Sequence, residues 1–420
     1  MSVELTTLPS GMRVITESMP GLETTSLGVW VNVGARSESA ELNGISHMLE
    51  HMAFKGTTTR SALDIAEQIE SVGGHLNAYT SREQTAYFAR VLGDDVPLAV
   101  NILGDILLNS TFEHEEIERE RGVILQEIGE AFDTPDDLVF DLLQDAAFPE
   151  QPVGRPILGT PDHVRSFTSE TLSGYMGRHY QAEHMVFAAA GKVNHDALVA
   201  QVGEAFADLQ SGGEPAFQPA VYVGGERRVE RDLEQVHLSM GFPGFSYGDD
   251  NFYAGQMLSA ILGGGMSSRL FQEVREKRGL AYSIYSFSGS LMDSGMFGVY
   301  AGTSPEQANE AAQVIAQEMV KVCDQVGERE FDRARTQLKA ATLMALESSG
   351  TRVEQFARQL YVFGRIMPMG ELVEKLDAVT LDQVTSAAQS LLSSGTMSLG
   401  AVGPTSTLAD FDSLAENFAV

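Results

Sequence analysis

Two histidines and a glutamate lie within five consecutive residues of this chain, at His47, Glu50 and His51. At about 100° per residue, a helix would place Glu50 about 60° behind His47 and His51 about 40° ahead of it, so that all three share one face. Two imidazoles one turn apart can bind the same zinc ion, and a carboxylate between them can act as a base without binding the metal. The pattern therefore predicts a zinc centre, although a partly exposed polar helix face would show the same residues.

A tetrahedral catalytic zinc needs a third protein ligand and an open position for water. The segment after Thr111 offers two acids, Glu120 and Glu127, which a helix would stack two turns apart and about 20° from each other. Burying both without a partner would be costly, because the residues around them on that side are apolar: Ile117, Val123 and Ile124. A metal cation would remove this cost, so we expect the third ligand on this helix.

The elements that must position these residues can be read from apolar periodicity and capping residues. The first elements predicted are a strand over 26–33, a helix over 43–55 capped by Asn43, and a helix that opens with a capping-box variant at Ser61 and ends at Gly73–Gly74. The next are a hairpin of strands 75–80 and 85–92 and long acidic helices over 111–132 and 135–147.

Gly, Ser and Pro concentrate near the midpoint of the chain, which predicts a linker over 211–225. Residues 69–78 and 274–283 each combine a helix end, a glycine and a strand, at an offset of 205 residues. Strands followed by runs of helices, twice, predict an α+β fold of two similar domains, each an antiparallel-type sheet packed with helices. We assign 1–210 to a zinc-binding catalytic domain and 226–420 to a related domain without metal.

The repeat has a consequence for the metal motif. Adding the same offset to positions 47, 50 and 51 gives Phe252, Gly255 and Gln256, which together cannot form a zinc site of this kind. The predicted metal site therefore belongs to the first half alone.

The amino-acid composition limits the classes of molecule that this chain is expected to bind. The chain has 420 residues, 43% of them hydrophobic, and a net charge of −30 from 28 basic and 58 acidic residues. A globular chain of this charge is a poor ligand for nucleic acid or anionic membrane, whereas a basic peptide would be attracted. The alternative is that the acidity only maintains solubility. With one cysteine, no secretory signal and no membrane-spanning stretch, we expect a cytoplasmic protein.

Residues Gly44–Thr57, with the inverted motif His-x-x-Glu-His, and the run Arg119–Ile128 resemble the pitrilysin/insulinase-type metallopeptidases. The two-domain length is similar to the mitochondrial-processing-peptidase-like bacterial branch. The resemblance implies a clam-shell chamber, a homodimer and one Zn²⁺ per chain. It implies zinc ligands at His47, His51 and Glu127, a general base at Glu50 and a supporting acid at Glu120.

Three further segments share the resemblance. Arg275 and Tyr282 are similar to a distal pair that binds substrate and stabilises the reacting carbonyl, although a surface arginine and a packed tyrosine would also fit. Strand 75–80 resembles an edge strand to which an extended peptide adds, which implies substrate contacts at Asn77 and Ala78, with Phe54 beside them. Gly263–Gly265 resembles a shortened glycine-rich loop or marks a flexible turn.

Three functions compete. The first is a zinc endopeptidase acting on extended peptides, presequence-like segments or unfolded protein, with basic substrates favoured. The second is a catalytically inactive structural or partner-binding subunit of the same superfamily. The third is an unrelated acidic binding protein, for which the matched motifs would be coincidences. The presence of all four site residues, His47, Glu50, His51 and Glu127, favours the endopeptidase.

Overall fold

The computed structural model describes residues 3–213 and 217–419, so part of the predicted linker lies outside the described residues. The described strands are β1 (Val3–Thr7), β2 (Arg13–Ser18), β3 (Thr24–Val31), β4 (His75–Thr80), β5 (Thr85–Leu92), β6 (Met185–Gly191), β7 (Gly225–Glu230), β8 (Val236–Pro243), β9 (Ala281–Ser290), β10 (Gly295–Thr303) and β11 (Ser398–Gly403).

Fifteen α-helices lie among the described residues. They are α1 (Ile45–Met52), α2 (Ala62–Ser71), α3 (Val96–Leu108), α4 (His114–Asp133), α5 (Pro135–Ala147), α6 (Pro161–Ser166), α7 (Ser169–His179), α8 (His195–Ala205), α9 (Phe252–Gly263), α10 (Ala308–Asp324), α11 (Glu328–Ala345), α12 (Ser349–Phe363), α13 (Met369–Ala378), α14 (Leu381–Ser393) and α15 (Phe411–Glu416). A π-helical segment covers Phe271–Glu276.

The strands form two sheets of related topology, in the orders β1-β2-β6-β3-β5-β4 and β7-β11-β8-β10-β9. Neighbouring strands are antiparallel except β2 with β6 and β7 with β11, which are parallel and occupy equivalent places in the two sheets. Among the described strands, β1 has no equivalent in the second sheet. The prediction of two similar, mainly antiparallel sheets packed with helices is therefore confirmed.

Contacts divide the chain into two compact units, each built from three segments. Unit 1 comprises Met1–Gly129, Pro156–Gln218 and Met344–Ile366; unit 2 comprises Glu130–Arg155, Pro219–Leu343 and Met367–Val420. The sequence boundary at 211–225 thus separates the two sheets but not all the helices that cover them. The assignment of 1–210 and 226–420 to functional domains stays a prediction.

Each sheet carries one helix from the other half of the sequence. In unit 1, Phe356 and Leu360 of α12 pack against Trp30 and against Ala188 and Ala190 of β6, on the face opposite the main core. In unit 2, Val139 and Leu143 of α5 pack against the second sheet. Apolar surface on both faces of each sheet explains why β6 and β10 are buried along their whole length.

Close approach of helix and sheet requires glycine at one position of unit 2. A Cβ atom on Gly400 of β11 would lie 2.5 Å from the carbonyl oxygen of Val139 and 2.9 Å from the amide nitrogen of Leu143. The helix α5 can therefore rest directly on the β11 backbone.

Across the described helices, none is both long enough and apolar enough to cross a membrane.

Candidate metal centre

The helix α1 holds the two histidines because its opposite face is apolar. Ile45, Met48, Leu49 and Met52 are at most 2% exposed and belong to the core of unit 1. This burial fixes the rotation of the helix and directs the polar face away from the core, as the sequence predicted.

The start of α1 is fixed by a side chain that the sequence did not indicate. The carboxylate of Glu38 accepts hydrogen bonds from the backbone N–H groups of Gly44 and Ser46, at 2.8 and 2.9 Å. Asn43, predicted as the cap, instead donates to Glu38 and to the carbonyl of Pro156. That prediction is wrong: the capping residue is Gly44, whose φ of +95° is a left-handed conformation that favours glycine. Burial raises the pKa of Glu38 to about 7.

Three potential ligand atoms converge at one point in unit 1. The Oε2 atom of Glu127 lies 3.6 Å from Nε2 of His47 and 3.5 Å from Nε2 of His51, and all three ligand atoms lie within 4.8 Å of one another. These distances are too long for hydrogen bonds. They are close to the edge of a zinc tetrahedron, about 3.4 Å for bonds of about 2.1 Å. The donor set and its spacing therefore fit one zinc ion.

The electrostatics of His47 suit a metal ligand. Its side chain is buried, and desolvation followed by the nearby His51 lowers its pKa to about 4. A neutral imidazole keeps a lone pair on one ring nitrogen, which is the form that binds a metal. Its Nδ1 atom is buried without a hydrogen-bond partner in the described residues.

The second histidine is oriented from outside the ligand set. The Nδ1 atom of His51 lies 2.9 Å from Oε2 of Glu120, and Oε1 of Glu120 lies 2.6 Å from Nζ of Lys55. A histidine that donates from one ring nitrogen to a carboxylate presents the other nitrogen to a metal. Glu120, the predicted supporting acid, thus contacts His51 but does not belong to the set of three potential ligands.

Glu50 is held by the end of β4. The hydroxyl of Thr80 donates to Oε2 of Glu50 at 2.7 Å. Burial raises the pKa of Glu50, while the hydrogen bond from Thr80 opposes this shift. Glu50 belongs to the same helix as both histidines but is not part of the cluster of converging ligand atoms. Glu50 interacts electrostatically with His51 and Glu127, and its role as a base stays a prediction.

The strand that carries Thr80 also carries two predicted substrate contacts. β4 is the last strand of its sheet and pairs with β5, with no second neighbour in the described parts of the chain. The N–H of Ala78 is bonded at 2.8 Å to the side-chain Oδ1 of Asn77. Because the strand edge offers backbone groups of this kind, β4 can accept an added strand.

Phe54 lies in a cleft next to this strand. Apolar side chains from α2 and β4 line the cleft with it: Ile65, Ile69 and Leu76. His75, the first residue of β4, lines the same cleft. Phe54, Asn77 and Ala78 are therefore grouped around one strand, and their role in substrate binding stays a prediction.

The second predicted pair comes together within unit 2. The guanidinium carbon of Arg275 lies 4.9 Å from the ring centre of Tyr282 and 4.8 Å from that of Phe271. Tyr282 is 75% exposed, so it is not the packed strand residue of the alternative interpretation. Arg275 belongs to the π-helical segment, a rare geometry that often marks functional sites.

The Gly263–Gly265 segment begins at the last residue of α9. Gly265 is open to solvent on its Cβ side, whereas a Cβ atom on Gly263 would lie 2.1 Å from the amide nitrogen of Ser286. The glycine at position 263 is thus required by packing against β9, which is a structural reason for part of the motif.

Sequence reasoning missed three residues around the centre: Glu38, Lys55 and Thr80. Glu38 caps α1 from eight residues upstream of Ser46, and Thr80 reaches Glu50 across 30 residues of chain. Only Lys55 carried a local signal, because it follows His51 by four residues and could share its partner.

Comparison with known proteins gives the family. Residues 13–161 match the family model described as insulinase (peptidase family M16), and residues 166–338 match that of the peptidase M16 inactive domain. An uncharacterised zinc protease of Streptomyces coelicolor is 41% identical over 413 residues, which cover 96% of this chain and 90% of that protein. A probable mitochondrial-processing peptidase subunit beta of Arabidopsis thaliana is 40% identical over 423 residues, covering 97% and 80%.

Two solved structures share the fold. A protease from Helicobacter pylori superposes with a TM-score of 0.89 at 22% identity, over 96% of this chain and 99% of that one. A chain of complex III₂ from Candida albicans gives a TM-score of 0.88 at 23% identity, with full coverage of both. Since the curated relatives keep about 40% identity over nearly all of this sequence, the chain belongs to the insulinase family, peptidase family M16.

Proposed function

We propose that this chain is a zinc-dependent endopeptidase that cleaves peptides bound in extended form. The observation that carries the proposal is the convergence of His47, His51 and Glu127, whose ligand atoms lie within 4.8 Å of one another, with Glu50 on the same helix as the histidines. Relatives named zinc protease support a peptidase-type activity.

The chemistry divides between the metal and the side chains. When bound, zinc supplies a Lewis acid that polarises a carbonyl group and makes water more acidic. Glu50, held in place by Thr80, would accept a proton from water as the water oxygen adds to the peptide carbonyl carbon, and would deliver that proton to the amine nitrogen as the C–N bond breaks. Glu120 keeps His51 oriented.

Substrate binding is proposed along β4. An extended peptide would pair its backbone with the strand edge at Asn77 and Ala78, and a side chain would enter the cleft beside Phe54. Backbone pairing is insensitive to side chains, so cleavage would be broad. Arg275 and Tyr282 would bind the substrate from the second half, inside a clam-shell chamber that admits presequence-like or unfolded segments.

The assembly is proposed as a cytoplasmic homodimer with one Zn²⁺ per chain. This chain carries both the metal motif and the Arg275–Tyr282 pair, so a complete site needs no second gene product. Mixing Glu50→Gln chains with Tyr282→Phe chains tests how sites form. Activity regained by the mixture would show sites shared between two chains, and a monomeric, fully active protein would contradict the homodimer.

The test of the catalytic proposal is a Glu50→Gln variant compared with wild type. The amide cannot accept the proton, so we expect unchanged zinc content and peptide hydrolysis reduced by about 10²–10⁴-fold. Glu118→Gln, which changes an exposed residue of α4, serves as the matched control. Wild-type protein that binds zinc but cleaves no peptide would favour the inactive structural subunit. Full activity in Glu50→Gln would place the base elsewhere.

A further inference from the structure

Lys55 forms an ion pair with Glu120, the predicted supporting acid of the metal centre. Its Nζ atom is 2.6 Å from Oε1 of Glu120, and the other oxygen of that carboxylate is 2.9 Å from Nδ1 of His51. We propose that Lys55 is a positioning residue for the zinc site, acting through Glu120 on the orientation of His51. This inference rests on the proposed function and extends the site to a residue outside the ligand set and the base.

The first argument concerns charge. The side chain of Glu120 is 7% exposed, and the acids Glu50 and Glu127 lie in the same region of unit 1. A buried carboxylate without a cation or several hydrogen bonds is costly. Lys55 supplies a positive charge at close range, which offsets the free-energy cost of burying the Glu120 carboxylate near other acids.

The second argument concerns geometry. Lys55 lies in the turn after α1, where its backbone N–H bonds to the carbonyl of Met52 at 3.2 Å. This turn continues the helical path, so Lys55 and His51, four residues apart, approach the same carboxylate. The two oxygens of Glu120 are each occupied, which restricts rotation of the carboxylate about its terminal bond.

The consequence for the metal follows from the tautomer of His51. A carboxylate held in this position keeps the proton on Nδ1 and leaves the lone pair on Nε2, the atom that faces Glu127. Loss of a partner of this kind typically lowers metal affinity or activity by about 10–100-fold. Removing Lys55 should therefore weaken zinc binding although Lys55 does not contact the metal position.

The experiment measures zinc affinity by competition with a chromophoric chelator, with no dependence on turnover. The proteins compared are wild type, Lys55→Met, Lys55→Arg, Glu120→Gln and the double variant Lys55→Met/Glu120→Gln. Lys339→Met is the matched control, because Lys339 is 32% exposed and forms a 2.7 Å ion pair with Asp377 in unit 2, much as Lys55, 30% exposed, does in unit 1.

We expect Lys55→Met to weaken zinc binding about tenfold, and Lys55→Arg, which keeps the charge and the donor, to restore affinity to within about threefold of wild type. The double variant should bind zinc no more weakly than Glu120→Gln, because both changes act through one carboxylate. Lys339→Met should bind zinc as wild type does.

Wild-type affinity in Lys55→Met, or multiplicative losses in the double variant, would overturn the inference. If Lys55→Met does not fold, the milder Lys55→Gln is measured against the same expectations. A wild-type chain without zinc affinity would contradict the proposed function itself, whereas a zinc-binding wild type with an unaffected Lys55→Met contradicts only the role of Lys55.

Discussion

Glu38 shows how a single buried acid can fix the start of the helix that carries two of the proposed zinc ligands. Its carboxylate accepts two backbone N–H groups at the start of α1, yet burial raises its pKa to about 7. In the unfolded chain the same group would titrate near its ordinary value of 4.5. Because the folded protein holds this proton more tightly, folding stability depends on pH through this residue.

Glu38→Gln tests this dependence. The contribution of Glu38 to stability is full below about pH 4.5 and is lost as pH rises to about 7, by roughly 3 kcal/mol in all. The glutamine has no proton to lose, so the free energy of unfolding of the variant, relative to wild type, should rise across this window. Urea unfolding of metal-free protein between pH 5 and 8 measures it, with the exposed Glu204→Gln as control. A difference that stays constant with pH would contradict the prediction.

At the scale of residues, the sequence predicted the side chains whose spacing places them on one face of a helix. His47, Glu50 and His51 share a face of α1 by spacing alone, and the seven-residue interval of Glu120 and Glu127 follows from helix geometry. Lys55, Thr80 and Glu38 could not be assigned this way, because their partners are set by how separate elements pack.

At the scale of elements, the helices α5 and α12 each cover a sheet formed mainly by the other half of the sequence. The α12 helix covers the face of the first sheet opposite the main core, with Phe356 fully buried there. A buried ion pair between Arg352 and Glu17 of β2, at 2.5 Å, joins the same helix to the sheet. The helix α1, which carries the two histidines of the candidate metal centre, packs within the main core of unit 1, so both faces of one sheet support the candidate site.

Phe356→Ala should therefore destabilise unit 1. Removing a fully buried phenylalanine typically costs about 3–5 kcal/mol, because a cavity remains. The free energy of unfolding in urea measures the loss, and Arg358→Ala, at an exposed position of the same helix, should change it by less than about 0.5 kcal/mol. Equal stability of the two variants would show that α12 is not needed to cover the sheet.

Capping residues and apolar periodicity predicted many boundaries of helices and strands, but they did not predict which sheet every helix packs on. The capping box at Ser61 and the hairpin of β4 and β5 formed as expected, since each depends on residues close in sequence. The predicted helix over 135–147 agrees with α5, yet its apolar face does not say which sheet it covers. Asn43 failed as a cap because Glu38 reaches the same N–H groups from the preceding loop.

For the whole molecule, the two sheets of matching topology confirm a duplicated architecture. Within the described residues the cluster of potential metal ligands is found in unit 1, whereas α9, which follows β8 as α1 follows β3, carries Phe252, Gly255 and Gln256 at the positions that the repeat predicts. The sequence could predict this asymmetry from a weak repeat. The net charge of −30, in contrast, is a property of the chain as a whole.

That charge predicts a substrate preference that depends on salt. Peptides rich in Lys and Arg should be cleaved with at least about tenfold higher kcat/KM than matched acidic peptides at low ionic strength, because the field of the protein attracts them. The ratio should fall toward one as salt rises, since the screening length shortens to about 10 Å at 0.1 M. Equal kcat/KM values for the two peptides at low salt would reject the preference.

The edge of the first sheet has a consequence for the behaviour of the protein in a crowded cell. An open strand edge can pair with the edges of other molecules and seed aggregation. At β4 the N–H of Ala78 is already bonded to the side chain of its neighbour Asn77. This bond leaves one donor fewer for pairing with the edge of another molecule, and a peptide that adds to β4 as proposed would have to displace the Asn77 side chain to use the same N–H.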